Sequence, residues 1–181
     1  CACARVRARP SAAAVCGEGR LFSWGSGSRG CLGRGTRDDA PKPREVAVGG
    51  GARVTALAGA DGHMLALDES GCVHAWGEGA HGALGLGSAD DCLVPTPVGG
   101  ALAGRRIAAV SCGAFHSMVL DDTGTVFWWG DGKSLVPREV RLQRQRRCAC
   151  MRACCPAELA PACVAAGGRT CRQTGRVAVP R

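Results

Sequence analysis

The chain has 181 residues, 46% of them hydrophobic but only 4% aromatic, and a formal net charge of +8. That length suffices for one domain with a modest core, and no apolar run approaches the ~20 residues of a membrane-spanning helix. The charge would suggest a nucleic-acid surface if it lay on a folded region. Residues 17–140, however, hold 11 basic against 14 acidic side chains, and the excess comes from three arginines in 1–16 and nine in 141–181.

In chain order, residues 1–16 read as an N-terminal tail. Leu21-Phe22-Ser23-Trp24 is an expected short strand, after which Gly25-Ser26-Gly27-Ser28-Arg29-Gly30 spells G-x-G-x-x-G. A dinucleotide-binding turn needs a helix directly behind those glycines, whose free N–H groups hold the pyrophosphate. Gly33, Gly35, Pro41 and Pro43 follow instead, and glycine and proline break helices. Val54 to Ala60, His63 to Asp68 and Cys72 to Trp76 are short apolar runs cut by glycine, which favours strands. Glu69-Ser70-Gly71 and Asp122-Thr123-Gly124 are expected hairpin turns.

The glycine pattern returns as Gly77-Glu78-Gly79-Ala80-His81-Gly82, 52 residues on and again after a tryptophan. A spaced copy marks a structural repeat, whereas a cofactor loop occurs once per domain. Gly19-Arg20-Leu21-Phe22-Ser23-Trp24-Gly25 matches Gly71-Cys72-Val73-His74-Ala75-Trp76-Gly77, and Gly30-Cys31-Leu32-Gly33-Arg34-Gly35 matches Gly82-Ala83-Leu84-Gly85-Leu86-Gly87. Asp38-Asp39, Pro43 and Val46 match Asp90-Asp91, Pro95 and Val98. A third copy, Gly124-Thr125-Val126-Phe127-Trp128-Trp129-Gly130, stands 53 residues after the second. Upstream of it, Cys112 to Leu120 matches Gly59 to Leu67 at the same interval. Copy three lacks a G-x-L-G-x-G segment, although Pro137-Arg138-Glu139-Val140 still echoes Pro43-Arg44-Glu45-Val46.

Over about residues 17 to 140 these letters resemble the regulator of chromosome condensation repeat family, with its C-G-x-x-H-[ST]-x-x-L, D-G-x-V-x-x-W-G and G-x-L-G-x-G segments. The resemblance implies an all-β fold, a β-propeller whose four-stranded blades each take residues from adjacent repeats. Two full copies and a truncated third amount to a partial, open propeller of about three blades, since the family's ring usually has seven. Leu32 and Leu84, each between glycines, are expected to plug the space between blades. An open arc exposes apolar faces and strand edges.

Residues 141–181 are an Arg/Ala/Cys-rich tail with no Phe, Trp or Tyr, expected to be disordered and readable as an incomplete gene model or a shifted frame. Its Cys148, Cys150, Cys154, Cys155, Cys163 and Cys171 could hold a soft metal as thiolates, but the second spaced pair of a structural zinc site is absent, and no metal is assigned. Arg144, Arg146 and Arg147 read as a solvated run. Cys31, Cys72, Cys92 and Cys112 read as small core residues. His63 and His116 share one repeat position, as hydrogen-bonded structural histidines would. His74 and His81 do not recur and read as surface residues. Asp38-Asp39 and Asp90-Asp91 read as turn residues. Trp24, Trp76 and Trp129 are the repeat's own tryptophans; Trp128 is extra, standing opposite Ser23 and Ala75.

No catalytic, cofactor-binding or metal-binding residue is assigned, and the chain reads as a non-enzyme without cofactors. Its expected role is a protein-interaction scaffold, part of a larger protein, with protein partners and an intracellular setting in cytoplasm or nucleus. The resemblance implies one alternative, guanine-nucleotide exchange on a Ran-type small GTPase with chromatin association. Thiolate metal binding by the tail is the other.

Overall fold

The structure is a computed structural model that describes residues 4–8, 11–60 and 62–140. These form three antiparallel four-stranded sheets. The first holds β1 (Ala4–Ala8), β2 (Ser11–Val15), β3 (Leu21–Gly25) and β4 (Ala40–Val46). The second holds β5 (Val54–Gly59), β6 (His63–Asp68), β7 (Val73–Gly77) and β8 (Cys92–Pro97). The third holds β9 (Ile107–Cys112), β10 (His116–Asp121), β11 (Val126–Gly130) and β12 (Ser134–Glu139). In each sheet the strands lie side by side in chain order. The sheets stack, with the first strand of the middle sheet, β5, adjacent to both β1 and β9, and the three sheets do not close into a ring.

Apart from two single 3-10 turns, at Ala80–Gly82 and Gly100–Leu102, the described residues contain no helix. The backbone after Gly30 runs through turns to Ala40, so no helix N-terminus faces the glycine loop and the nucleotide reading is closed.

The expected boundary at residue 17 falls inside the first sheet, between β2 and β3. Two features concealed those strands. Ser11, Ala13 and Cys16 occupy the register positions that His63, Leu65 and Asp68 hold in the second sheet, so the repeat's recognisable letters are replaced. Ala12-Ala13-Ala14 is also poor in the β-branched and aromatic residues that mark a strand. Here packing overrides propensity, because Ala13 and Val15 are buried against the second sheet. The tail 141–181, with its cysteines and arginines, lies outside the described residues.

Alternation explains the burial. On β10, Ser117, Val119 and Asp121 are buried while His116, Met118 and Leu120 are exposed, whereas every residue of β6 is buried. Successive side chains of a strand point to opposite faces, so among the described residues β6 has a sheet on each side and β10 on one only. Ala13, Val15, Met64, Ala66 and Trp76 join in one cluster between the first two sheets. Leu65, Leu67, Ala75, Leu84, Val119, Phe127 and Trp129 join in another between the second and third.

The hairpin turns are built alike. Asp68 Oδ1 accepts the N–H groups of Ser70 and Cys72, each at 2.9 Å, and Asp121 Oδ1 accepts those of Thr123 and Thr125 at 3.0 and 2.7 Å. A carboxylate holding two N–H groups pins the turn that a short hairpin needs. The fourth strands β4, β8 and β12 are sheet edges, and each carries proline: Pro41 and Pro43, Pro95 and Pro97, and Pro137. Proline has no N–H to offer another strand, so these edges resist further pairing.

Candidate interaction surface

The loops between the third and fourth strands of the first two sheets do two things: they seal the joint to the next sheet and they form a rim. Leu32 and Leu84 are wholly buried, as expected of plugs. Trp76 Nε1 donates to the carbonyl of Cys31 across the first joint, and Trp129 Nε1 to that of Ala83 across the second, both at 2.9 Å. Both indoles lie against the glycine after the plug. Gly33 and Gly85 have φ of +69° and +71°, and a Cβ there would meet Trp76 Nε1 at 2.9 Å and Trp129 Nε1 at 2.6 Å. Only glycine allows that backbone and that approach together.

The second joint has a further polar layer. The Ser117 hydroxyl donates to Ala83 O at 2.8 Å, so the His63 Nε2–H donates to Ser117 Oγ at 2.9 Å. Ala83 O thus takes one hydrogen bond on each lone pair, a satisfied buried acceptor. Burial drives the His63 pKa down to about 4, the nearby His116 adding to the effect.

On the rim, Asp39 Oδ1 accepts the Gly27 N–H at 2.8 Å and Asp91 Oδ1 the Gly79 N–H at 2.9 Å. The aspartate pairs are therefore loop ties. Arg29 reaches Glu78 at 3.2 Å and Arg37 reaches Asp91 at 2.6 Å, joining the rims of the first and second sheets. These pairs are exposed and contribute little net stability; their effect is to fix loop positions. Further round, Phe115 is 53% exposed. The His81 ring meets it edge-on with centroids 4.8 Å apart, and the Asp131 N–H donates to its carbonyl at 2.7 Å. His81 itself stands at φ +62°, a left-handed backbone uncommon outside glycine.

The histidines divide differently from expectation. His63 is buried and hydrogen-bonded, but His116, at the same register position, is exposed, because no sheet covers it among the described residues. His81 is exposed as expected. His74 is a correction: it is buried, and its Nε2–H donates to Asp68 Oδ2 at 2.9 Å. Its neighbours on β7 gave no hint, since the partner is six residues away on the adjacent strand. Burial pushes the Asp68 carboxyl up, and the Ser70 hydroxyl, the His74 ring and the Cys72 N–H outweigh it, holding the carboxyl below its ordinary value.

Among the cysteines, Cys31 is buried and Cys92 and Cys112 are half-buried, but Cys72 is exposed. The Cys72 side chain falls at the end of the hairpin turn, where the sheet has not yet covered it. Burial pushes the Cys112 thiol up to about 12. Among the described residues no cluster of three or more His, Cys, Asp or Glu is arranged to hold a metal ion. No helix there is long and apolar enough to cross a membrane. Sequence reasoning missed Phe115, whose only signal is a large aromatic at a variable place in the repeat.

Stacked four-stranded sheets sealed by leucine plugs and indole–carbonyl bonds define a β-propeller arc. The description "Regulator of chromosome condensation (RCC1) repeat" matches residues 18–67 and 70–120, and a second description of that repeat matches 107–134. The chain belongs to this repeat family. The segment 18–67 takes β3 and β4 from the first sheet and β5 and β6 from the second, so blades do draw on adjacent repeats.

The chain is 38% identical over 122 residues to the human E3 ubiquitin-protein ligase HERC2, a match covering 66% of this chain and 2% of that protein. It is 37% identical over 113 residues to the Arabidopsis thaliana ultraviolet-B receptor UVR8, covering 62% of this chain and 26% of the receptor. With the Xenopus laevis Protein RCC2 homolog it shares 43% identity over 115 residues, covering 62% and 22%. The matched region thus spans about a quarter or less of each of these relatives. Its fold superposes with a TM-score of 0.69 on Saccharomyces cerevisiae Prp20p, a protein reported to bind Gsp1p and histones, at 19% identity over 78% of this chain and 39% of that one. The human WBSCR16 structure gives the same TM-score at 22% identity, covering 76% and 37%.

Proposed function

We propose that the chain is a non-enzymatic protein-interaction module that presents its rim loops to a protein partner. The observation that carries this reading is Phe115, an aromatic more than half exposed yet held by His81 and by the backbone of the β11–β12 loop. A fixed, exposed aromatic is the kind of anchor that dominates protein interfaces. The loops of the first two sheets carry exposed charges of both signs, among them Arg29, Arg37, Asp38 and Asp90, which suit a protein surface better than a phosphate backbone. Loops on a rigid scaffold are the usual bearers of binding function.

Cross-linking of the full chain in cells, followed by identification of the linked proteins, tests this. Phe115→Asp should lose partners that Val94→Asp, on the outer edge strand, retains; equal partner sets from the two variants would sink the rim reading. A second assay addresses catalysis. Adding the chain to a Ran-type GTPase loaded with labelled nucleotide should leave release unchanged, and accelerated release would replace the scaffold reading with exchange.

A further inference from the structure

The interval between repeats lengthens in the loop that joins the second sheet to the third. Val46 and Val98 stand 52 residues apart, but Arg53 and Arg106 stand 53 apart, so the stretch from Val98 to Arg106 holds one residue more than its counterpart. The far ends of the two loops are anchored alike. The Val54 N–H donates to Gly19 O at 2.9 Å, and the Ile107 N–H to Gly71 O at 3.1 Å. The stem of each arginine lies over the same hairpin glycine: a Cβ at Gly19 would meet Arg53 Cβ at 2.9 Å, and one at Gly71 would meet Arg106 Cγ at 2.6 Å. Between these fixed points the longer loop turns at Gly100–Leu102 and again at Gly104, where φ is +75°.

A cavity of about 270 Å³ lies between this loop and the β6–β7 hairpin, at the strand ends opposite the rim. Its apolar wall is Val73, Val98, Leu102 and Ile107, all buried. Arg105 and Arg106 line it as well and are exposed. Arg105 is held in place: its Nη1 donates to Asp121 Oδ2 at 2.7 Å, and its guanidinium carbon stands 4.8 Å from the centre of the Phe127 ring. The position of Arg105 in the first joint is Ala52, so the second guanidinium belongs to this joint alone. Arg106 makes no ion pair among the described residues. No acidic side chain among them lines the cavity; Glu69 and Asp122 are exposed on the flanking turns.

We propose that this cavity binds a small organic anion, its apolar ring or short chain against the aliphatic wall and its carboxylate or phosphate on Arg105 and Arg106. Guanidinium groups match both head groups with charge-assisted hydrogen bonds, and Arg105 keeps donors beyond the one that Asp121 takes. Apolar walls with a few placed polar groups are the usual make-up of a ligand site, and a volume just under the ~300 Å³ at which such sites begin limits the occupant to about one ring. An inorganic ion would leave the aliphatic wall unused, and a neutral ring would leave the arginines unused. The site lies wholly within the second and third sheets and is independent of the rim reading.

Amide spectra of the ¹⁵N-labelled full chain, titrated with benzoate and with phenyl phosphate, test it. Benzyl alcohol and inorganic phosphate are the controls that each lack one element. Saturable shifts at Gly71, Gly104 and Ile107 are expected with an organic anion, at a Kd at least about tenfold below that of either control. Arg106→Gln, which keeps the stem over Gly71, should raise that Kd about tenfold. Ala103→Trp, at an exposed position on the cavity lining, should block the probe, and it carries the test if the Arg106→Gln spectrum shows a lost fold. No saturable shift with either organic anion, or binding unchanged by a folded variant, would overturn the proposal. Inorganic phosphate binding as tightly as the organic anions would do the same, since it would mean an adventitious ion only. Neither variant alters Phe115, so such a failure leaves the rim assay standing.

Discussion

His63 shows how a single residue ties stability to pH. Its ring is buried at the second joint, and its pKa falls from about 6.5 to about 4. An unfolded chain binds a proton there across that interval while the folded chain does not, so the contribution is complete above pH 6.5 and is lost as the pH falls towards 4. At about 1.4 kcal/mol per unit, the loss is on the order of 3 kcal/mol. Denaturant titrations at pH 7 and pH 4.5 should show it, and His63→Gln, which keeps a donor for Ser117, should flatten the difference. Asp121 has the opposite ordinary charge and a lower window. The Thr123 hydroxyl, the N–H groups of Thr125 and Thr123 and the Arg105 guanidinium outweigh burial and hold its carboxyl at about 2. Its contribution is present above about pH 3.8 and disappears as the pH approaches 2. In the first sheet the same register position is Cys16, whose backbone makes the same turn, with Gly19 N–H donating to Cys16 O at 2.9 Å. Cys16→Asp would supply the carboxylate that the other two turns use, and thermal melts should show a raised midpoint.

The plug loop gives the sharpest prediction among the elements. Leu84 is fully buried within the second cluster, and removing a buried leucine side chain costs about 2–5 kcal/mol. Leu84→Ala should therefore lower unfolding stability by that amount, while Val136→Ala, on the exposed edge strand, should change it by less than about 0.5 kcal/mol. Equal effects from the two would mean that the loop does not bridge the sheets. The strands also differ in how they are covered. Because β6 is buried on both sides and β10 on one, amide exchange should be slowest in β6 and β7 and faster in β10, whose protection reports local opening.

For the molecule as a whole, stability runs from the middle outwards. Each sheet leans on its neighbours, as in any stacked repeat, and among the described residues the second has two neighbours where the first and third have one apiece. The described residues carry 13 basic and 13 acidic side chains, so salt should have little effect on their unfolding compared with the loss of a joint residue such as Trp129. Trp129→Phe keeps most of the packing and removes the bond to Ala83 O, at a cost of about 1 kcal/mol.

The letters themselves settled the architecture. Tryptophan, plug leucine and flanking glycines recur at 52 and 53 residues, and that interval determines stacked sheets because no single unit of this size can bury its own apolar faces. The plugs, the turn aspartates and the loop ties follow from the same repetition, since each acts within its own repeat or the next. What repetition could not determine was anything depending on a missing letter or on the presence of a neighbour. The strands at Ala4–Ala8 and Ser11–Val15 carry none of the repeat's marks, and Ala13 and Val15 are buried against the next sheet. His63 and His116 share a register position, yet one is buried and the other exposed. His74 is buried because a carboxylate folds beside it. Burial is a property of what lies opposite, and only the tertiary arrangement of the sheets decides that.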